Sequence, residues 1–211
     1  MQPVTPGGGM SSANRFGLRI LLDLLRATHA LTLLVPPKPP NPEQPDYRLE
    51  HMFVLGIDPG LSITGYGLVE GPHPPRAVVA GVIRTDTDLT VPQRLSVLYS
   101  GLSQVISDNS PDVIAMETVF TNRNLQTAMS VGRASGVALL AAAEAGLDVR
   151  EYVPTAIKAA VTGDGSANKH RVQQMVARLL GLSEAPKPAD ASDALAIALC
   201  HLRAAPLEVS R

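Results

Sequence analysis

Thiols are almost absent from this 211-residue sequence, in which Cys200 is the single cysteine. That excludes an internal disulfide and a Cys-rich zinc site, and it fits a reducing compartment, so a cytoplasmic location is expected. Cys200 stands in an apolar run and reads as a small core residue rather than a nucleophile. Net charge is equally scarce. Lys and Arg number 18 against 19 Asp and Glu, a formal −1. No global electrostatic case for nucleic acid exists, and any such case must rest on local segregation of charge. Long apolar runs are missing too. Arg19, Asp23 and Arg26 break the Leu-rich stretch from Phe16 to Val35, leaving too little to span a membrane. With no small-x-small site after it, a signal peptide is not expected. What is present, 45% hydrophobic and 18% charged residues, suits one globular domain with a sizeable core.

Residues 1–51 differ from the rest. Gly7-Gly8-Gly9 and the run Pro36-Pro37-Lys38-Pro39-Pro40 have the composition of a flexible segment and an extended linker. Met52 stands immediately before the first strand and is the expected natural start, with 1–51 an extension that is dispensable or not translated. The domain is expected over 52–205, followed by a tail at 206–211.

From Met52 the punctuation is regular. Phe53, Val54, Leu55 and Ile57 form an apolar run of β-forming residues, closed at Asp58-Pro59-Gly60 by turn chemistry. Ser62 to Val69 alternates, with Ile63, Gly65, Gly67 and Val69 on one face, and Ala77 to Arg84 is a third strand. Together these predict a three-stranded antiparallel meander. Leu95, Leu98, Leu102 and Ile106 predict a helix from about 93 to 107. A buried strand follows over 113–116, then a helix over 123–145, a strand over 148–153, and helices over 155–161, 167–180 and 190–202. Ser166 is placed to cap the helix at 167 and Gly181 to end it. The order predicts an α/β fold in which strand 113–116 lies beside the first strand and parallel to it. Asp58 and Glu117 then sit at neighbouring carboxyl ends, where open α/β sheets build their sites.

Each acid alone has a plain explanation. Asp58 starts an Asx-type turn, Glu117 is a solvated strand end, and Asp190 and Asp193 are an N-cap and a first-turn acid. Together they weigh differently. Spacing i to i+3 puts Asp190 and Asp193 on one helix face, and that Ala/Leu-rich helix has to pack on the sheet. Four carboxylates sharing a site are costly without a counter-charge. Oxygen ligands without His or Cys suit Mg²⁺ or Mn²⁺ rather than zinc, and two such ions roughly 4 Å apart serve phosphodiester hydrolysis.

Gly56-Ile57-Asp58-Pro59-Gly60 with Thr64-Gly65-Tyr66-Gly67, Met116-Glu117-Thr118-Val119-Phe120, Val161-Thr162-Gly163 with Gly165 and Lys169, and the run from Ala189 to Ala198 resemble the RuvC family of Holliday junction resolvases. The motifs occur in that family's order and span about 53–202. The resemblance implies a ribonuclease H-like fold, with a mixed five-stranded sheet of an antiparallel meander plus parallel strands flanked by helices. It implies a homodimer making two symmetric nicks in four-way junction DNA, during recombination and repair, with the RuvA/RuvB branch-migration complex as partner. It maps the catalytic and metal-binding acids onto Asp58, Glu117, Asp190 and Asp193, with two Mg²⁺ or Mn²⁺ ions per site.

Basic residues are locally segregated. No acid occurs between Glu117 and Glu144, where Arg123 and Arg133 lie, nor between Asp164 and Glu184, where Lys169, Arg171 and Arg178 lie; phosphate contacts need such segregation. A solvated helix face explains any one of them alone. Lys169 and Lys158 resemble the lysines that the family places near the scissile phosphate. Phe120, one of three phenylalanines, matches an aromatic near the junction centre, where stacking on an unpaired base is worth about 1–3 kcal/mol. Gly132 and Gly136, on one helix face, allow close helix packing, across a dimer if not within the chain. Two rivals stand beside this reading. An actin-like or sugar-kinase fold needs a second phosphate hairpin, which the sequence lacks. A ribonuclease H-like DNA-binding module without cleavage activity does not need all four acids.

Overall fold

The computed structural model describes residues 52–71, 74–118 and 125–204. The 1–51 extension, the 206–211 tail, Phe120 and Arg123 lie outside the described residues. Strands β1 (Met52–Asp58), β2 (Ile63–Gly71) and β3 (Arg76–Arg84) come first, then helix α1 (Val91–Asn109). Strand β4 (Val113–Glu117), helix α2 (Leu125–Glu144) and strand β5 (Val149–Tyr152) follow. Helices α3 (Pro154–Thr162), α4 (Lys169–Leu179) and α5 (Ala189–Ala204) complete the described residues.

The strands form one sheet in the order β3-β2-β1-β4-β5. The meander is antiparallel, and β4 and β5 run parallel to β1, as the crossover argument required. The start of β4 is clamped to β1 from both sides. Asp112 N donates to the Phe53 carbonyl at 2.8 Å, and Phe53 N donates to Asp112 Oδ2 at 2.8 Å. The register then carries Ile57 opposite Met116, so Asp58 and Glu117 are the next residue on each strand.

Strand alternation splits the core in two. Leu55, Ile57, Ile114 and Met116 face one layer with Leu98 and Leu102 of α1 and Ala134 and Ala138 of α2. Val54, Val113 and Ala115 face the other, with Ile157 of α3, Val172 and Val176 of α4, and the buried length of α5. Asp58 and Glu117, each one step past an inward residue of the first layer, share the face covered by α3, α4 and α5.

Two helix ends differ from their sequence-based expectation. Helix α4 is capped by Asn168, whose side chain accepts from Arg171 N at 2.9 Å; Ser166 instead binds Asp164 Oδ1 through its N–H and its hydroxyl. A nearby acceptor outcompeted the cap. Helix α5 starts at Ala189, so Asp190 lies inside its first turn and is not its N-cap. Gly181, at φ +65°, does end α4: Leu182 N donates to the Ala177 carbonyl and Gly181 N to that of Arg178, a Schellman pattern.

Candidate active site

The acids on the sheet meet those on α5 because glycine removes what would separate them. A β-carbon at Gly56 would stand 2.0 Å from the Ala194 carbonyl oxygen, one at Gly65 would stand 2.1 Å from that of Asp190, and one at Gly67 would stand 2.7 Å from the Leu195 side chain. Helix α5 therefore lies directly on the backbone of β1 and β2. Its first turn is set down on Gly65, which is paired with Asp58.

Electrostatics reports the result. Burial pushes the Asp58 carboxyl up to about 7, and the negative charges of Asp193, Glu117 and Asp190 push in the same direction. Lys169 pulls the other way. Asp193 is also raised by burial, despite Lys169 Nζ at 2.6 Å from its Oδ2. That contact holds Lys169 above the usual lysine range, as a firmly charged ammonium. Lys169 thus supplies part of the counter-charge that a cluster of four acids requires.

A cleft of about 250 Å³ opens beside the acids. Glu117, Asp193, Lys158 and Lys169 line it with polar atoms, and Ile157, Val172 and Ile197 give it apolar walls. Asp58 and Asp190 do not line it. Arg171 is drawn aside: its guanidinium pairs with Asp164 at 3.6 Å. Asp164 is held below the usual carboxylate range by the two Ser166 hydrogen bonds, with Arg171 and Lys158 adding to the effect.

Among the described residues no group of three or more His, Cys, Asp or Glu side chains is gathered tightly enough to hold a metal ion. The acids share an electrostatic field more than a single coordination sphere. Their chemistry nevertheless fits hard divalent cations: all donors are oxygens, and burial with three neighbouring acids makes ionisation of Asp58 costly without a cation.

A family model described as "Crossover junction endodeoxyribonuclease RuvC" matches residues 54–201. The chain belongs to the RuvC family. The crossover junction endodeoxyribonuclease RuvC of Salinispora arenicola is 51% identical over 153 residues, covering 72% of this chain and 87% of that relative. Its counterpart from Moorella thermoacetica is 49% identical over 156 residues, 74% of this chain and 93% of the other. Thermus thermophilus RuvC, solved in complex with Holliday junction substrate, superposes with a TM-score of 0.71 at 38% identity, covering 75% of this chain and 97% of that one. RuvC structures thus share this sheet and its flanking helices, the ribonuclease H-like fold.

Two parts of the site were not anticipated from the sequence. The bare glycine track under α5 was visible only as Gly65 and Gly67 on one strand face. The bonds that tie the turn after Asp58 to β3 and α1, described below, left no signal in spacing or periodicity.

Proposed function

We propose that this RuvC-family endonuclease resolves Holliday junctions by metal-dependent phosphodiester hydrolysis at Asp58, Glu117, Asp190 and Asp193. The observation that carries this reading is the Asp58 carboxyl, raised to about 7 by burial and then by the charges of Asp193, Glu117 and Asp190. A buried acid under that load is poised for a cation rather than for a solvent-exposed turn. Two Mg²⁺ or Mn²⁺ ions held by these carboxylates would supply a water that ionises near neutral pH and charge neutralisation at the phosphate. Lys169, firmly protonated beside Asp193, and Lys158 in the wall of the same cleft place positive charge where the scissile phosphate sits. Arg171, Arg123 and Phe120 serve the flanking DNA, the last by stacking.

A two-fold homodimer supports paired cutting of a symmetric junction. Helix α2 offers the surface: Leu125, Met129 and Leu140 are 74%, 45% and 51% exposed, on one face with Gly132 and Gly136. Among the described residues nothing lies within 4 Å of where β-carbons of those glycines would stand, which leaves that face open to a second copy of α2. Residues 52–205 form the working domain without need of 1–51, in the cytoplasm, with the RuvA/RuvB branch-migration complex as partner. Among the described residues no helix is long and apolar enough to cross a membrane.

The test is cleavage of a four-way junction against a linear duplex of the same sequence, with Mg²⁺ and Mn²⁺ compared. Paired nicks of like polarity, in the junction alone and with metal alone, are expected. Junction binding without cutting under either metal would leave the DNA-binding module as the correct reading.

A further inference from the structure

Arg94 lies in α1, on the side of the sheet away from α5, and the cation that acts on Asp58 is Lys169. Its hydrogen bonds nevertheless lead to the turn that follows Asp58. Arg94 Nε donates to Thr85 Oγ1 at 2.9 Å, and Arg94 Nη2 donates to Ser62 Oγ at 2.7 Å. Thr85, buried just past the end of β3, passes the connection on. Its hydroxyl donates to the Leu61 carbonyl at 2.6 Å, and its N–H donates to the Ser62 carbonyl at 3.1 Å. One guanidinium thus fastens α1, the end of β3 and the turn that follows Asp58.

The turn is held from within as well. Thr64, fully buried, donates its hydroxyl to the Gly60 carbonyl at 2.7 Å and accepts from Gly60 N at 3.2 Å. A β-carbon at Gly60 would stand 2.3 Å from the Ile63 carbonyl oxygen, so the turn is closed on itself. Asp58 needs this support. Pairing of β1 with β4 stops at Ile57 and Pro59 has no N–H to contribute, so Gly65 of β2 is the strand partner that remains opposite Asp58. The turn beyond shares with β2 the task of holding the end of the strand.

We propose that Arg94 is a positioning residue for Asp58, acting through Thr85 and the turn at 59–62. This rests on the reading of Asp58 as a metal-binding acid. Arginine is required because its fork reaches two oxygens on separate elements, which a lysine ammonium on a single stem does not reproduce.

Calorimetric titration of Mn²⁺ into the full chain without DNA tests it, beside junction affinity measured without metal. Groups that orient metal-binding side chains typically cost ten- to a hundredfold in metal affinity when removed. Arg94→Ala, Arg94→Lys and Thr85→Val should each weaken Mn²⁺ binding about tenfold, while junction affinity without metal stays at the unsubstituted level. Thr85→Ser keeps the hydroxyl and should bind Mn²⁺ like the unsubstituted protein. Unchanged Mn²⁺ affinity in Arg94→Ala overturns the proposal, as does a loss confined to junction affinity, which would make Arg94 a phosphate contact. Should Arg94→Ala not fold, equal affinity of Thr85→Val and Thr85→Ser overturns it instead. Asp58→Asn separates the two levels. Mn²⁺ affinity indifferent to Asp58→Asn removes the metal-site reading itself, whereas dependence on Asp58 with indifference to Arg94 and Thr85 removes only the positioning role.

Discussion

Gly65 lies directly beneath Asp190: a β-carbon on the glycine would stand 2.1 Å from the aspartate's carbonyl oxygen and 3.2 Å from its Cβ. The same glycine is paired with Asp58 across β1 and β2. One residue without a side chain therefore sets the spacing between an acid of the sheet and an acid of α5.

Gly65→Ala should lift the first turn of α5 from β2. Overpacking of this kind costs about 1–3 kcal/mol, so the melting temperature falls. Cutting should fall with it, while junction binding without metal is retained. A variant that melts and cuts like the unsubstituted protein would show that α5 does not need this contact.

Asp58→Asn, Glu117→Gln and Asp193→Asn should each abolish cutting, by about a hundredfold or more, with junction binding preserved. Gel-shift and single-turnover cleavage on the same junction separate the two. Full activity in any one variant removes that residue from the mechanism.

The folded Asp58 carboxyl, raised to about 7, titrates well above its unfolded value near 4. Between those values the folded state holds a proton that the unfolded chain has lost, so stability falls as pH rises through that window. The metal-free protein should melt several degrees higher at about pH 5 than at about pH 8. Asp58→Asn should remove most of that difference, and Mn²⁺ should restore stability at the higher pH. Thermal melts across the range decide it; a difference that survives Asp58→Asn intact assigns the effect to another group.

Met129 stands on the exposed face of α2 beside Gly132 and Gly136. Met129→Glu would bury a charge in any α2–α2 contact, at a cost of several kcal/mol. On the proposed α2–α2 dimer, sedimentation should show the unsubstituted protein as a dimer and the variant as a monomer, and junctions should receive single, uncoupled nicks from the variant. A persisting dimer would place the interface elsewhere.

Ser192, between Asp190 and Asp193, is fully buried, and its hydroxyl oxygen has no hydrogen-bond partner among the described residues. A buried polar group without a partner is destabilising. Ser192→Ala should stabilise the domain by about 1 kcal/mol, read as a higher denaturation midpoint. A lower midpoint would show that the hydroxyl is satisfied in solution.

Much of this was legible in the residues themselves. The apolar run ending at Asp58, the alternation of β2 and the i to i+3 spacing of Asp190 and Asp193 are local patterns, and patterns of this kind placed each strand and helix of the described residues to within a few positions. Helix α1 begins at Val91 rather than 93 because Gln93 Oε1 reaches back to Thr90 N at 2.9 Å, a detail hydrophobic periodicity does not carry. Competition between neighbours was equally hidden: Ser166 had the chemistry of a cap, but Asp164 took its hydrogen bonds and left the role to Asn168.

The sequence by itself determined which carboxylates exist, which strands carry them and at which end. Only the tertiary structure decided how they act on one another. Strand alternation and helical period depend on residues a few places apart, whereas the Asp58 ionisation sums contributions from Glu117, Lys169, Asp190 and Asp193 in a buried setting that forms when α5 settles on Gly56, Gly65 and Gly67. A glycine has no side chain from which its future neighbour can be read. Its role is fixed by the helix that lands on it.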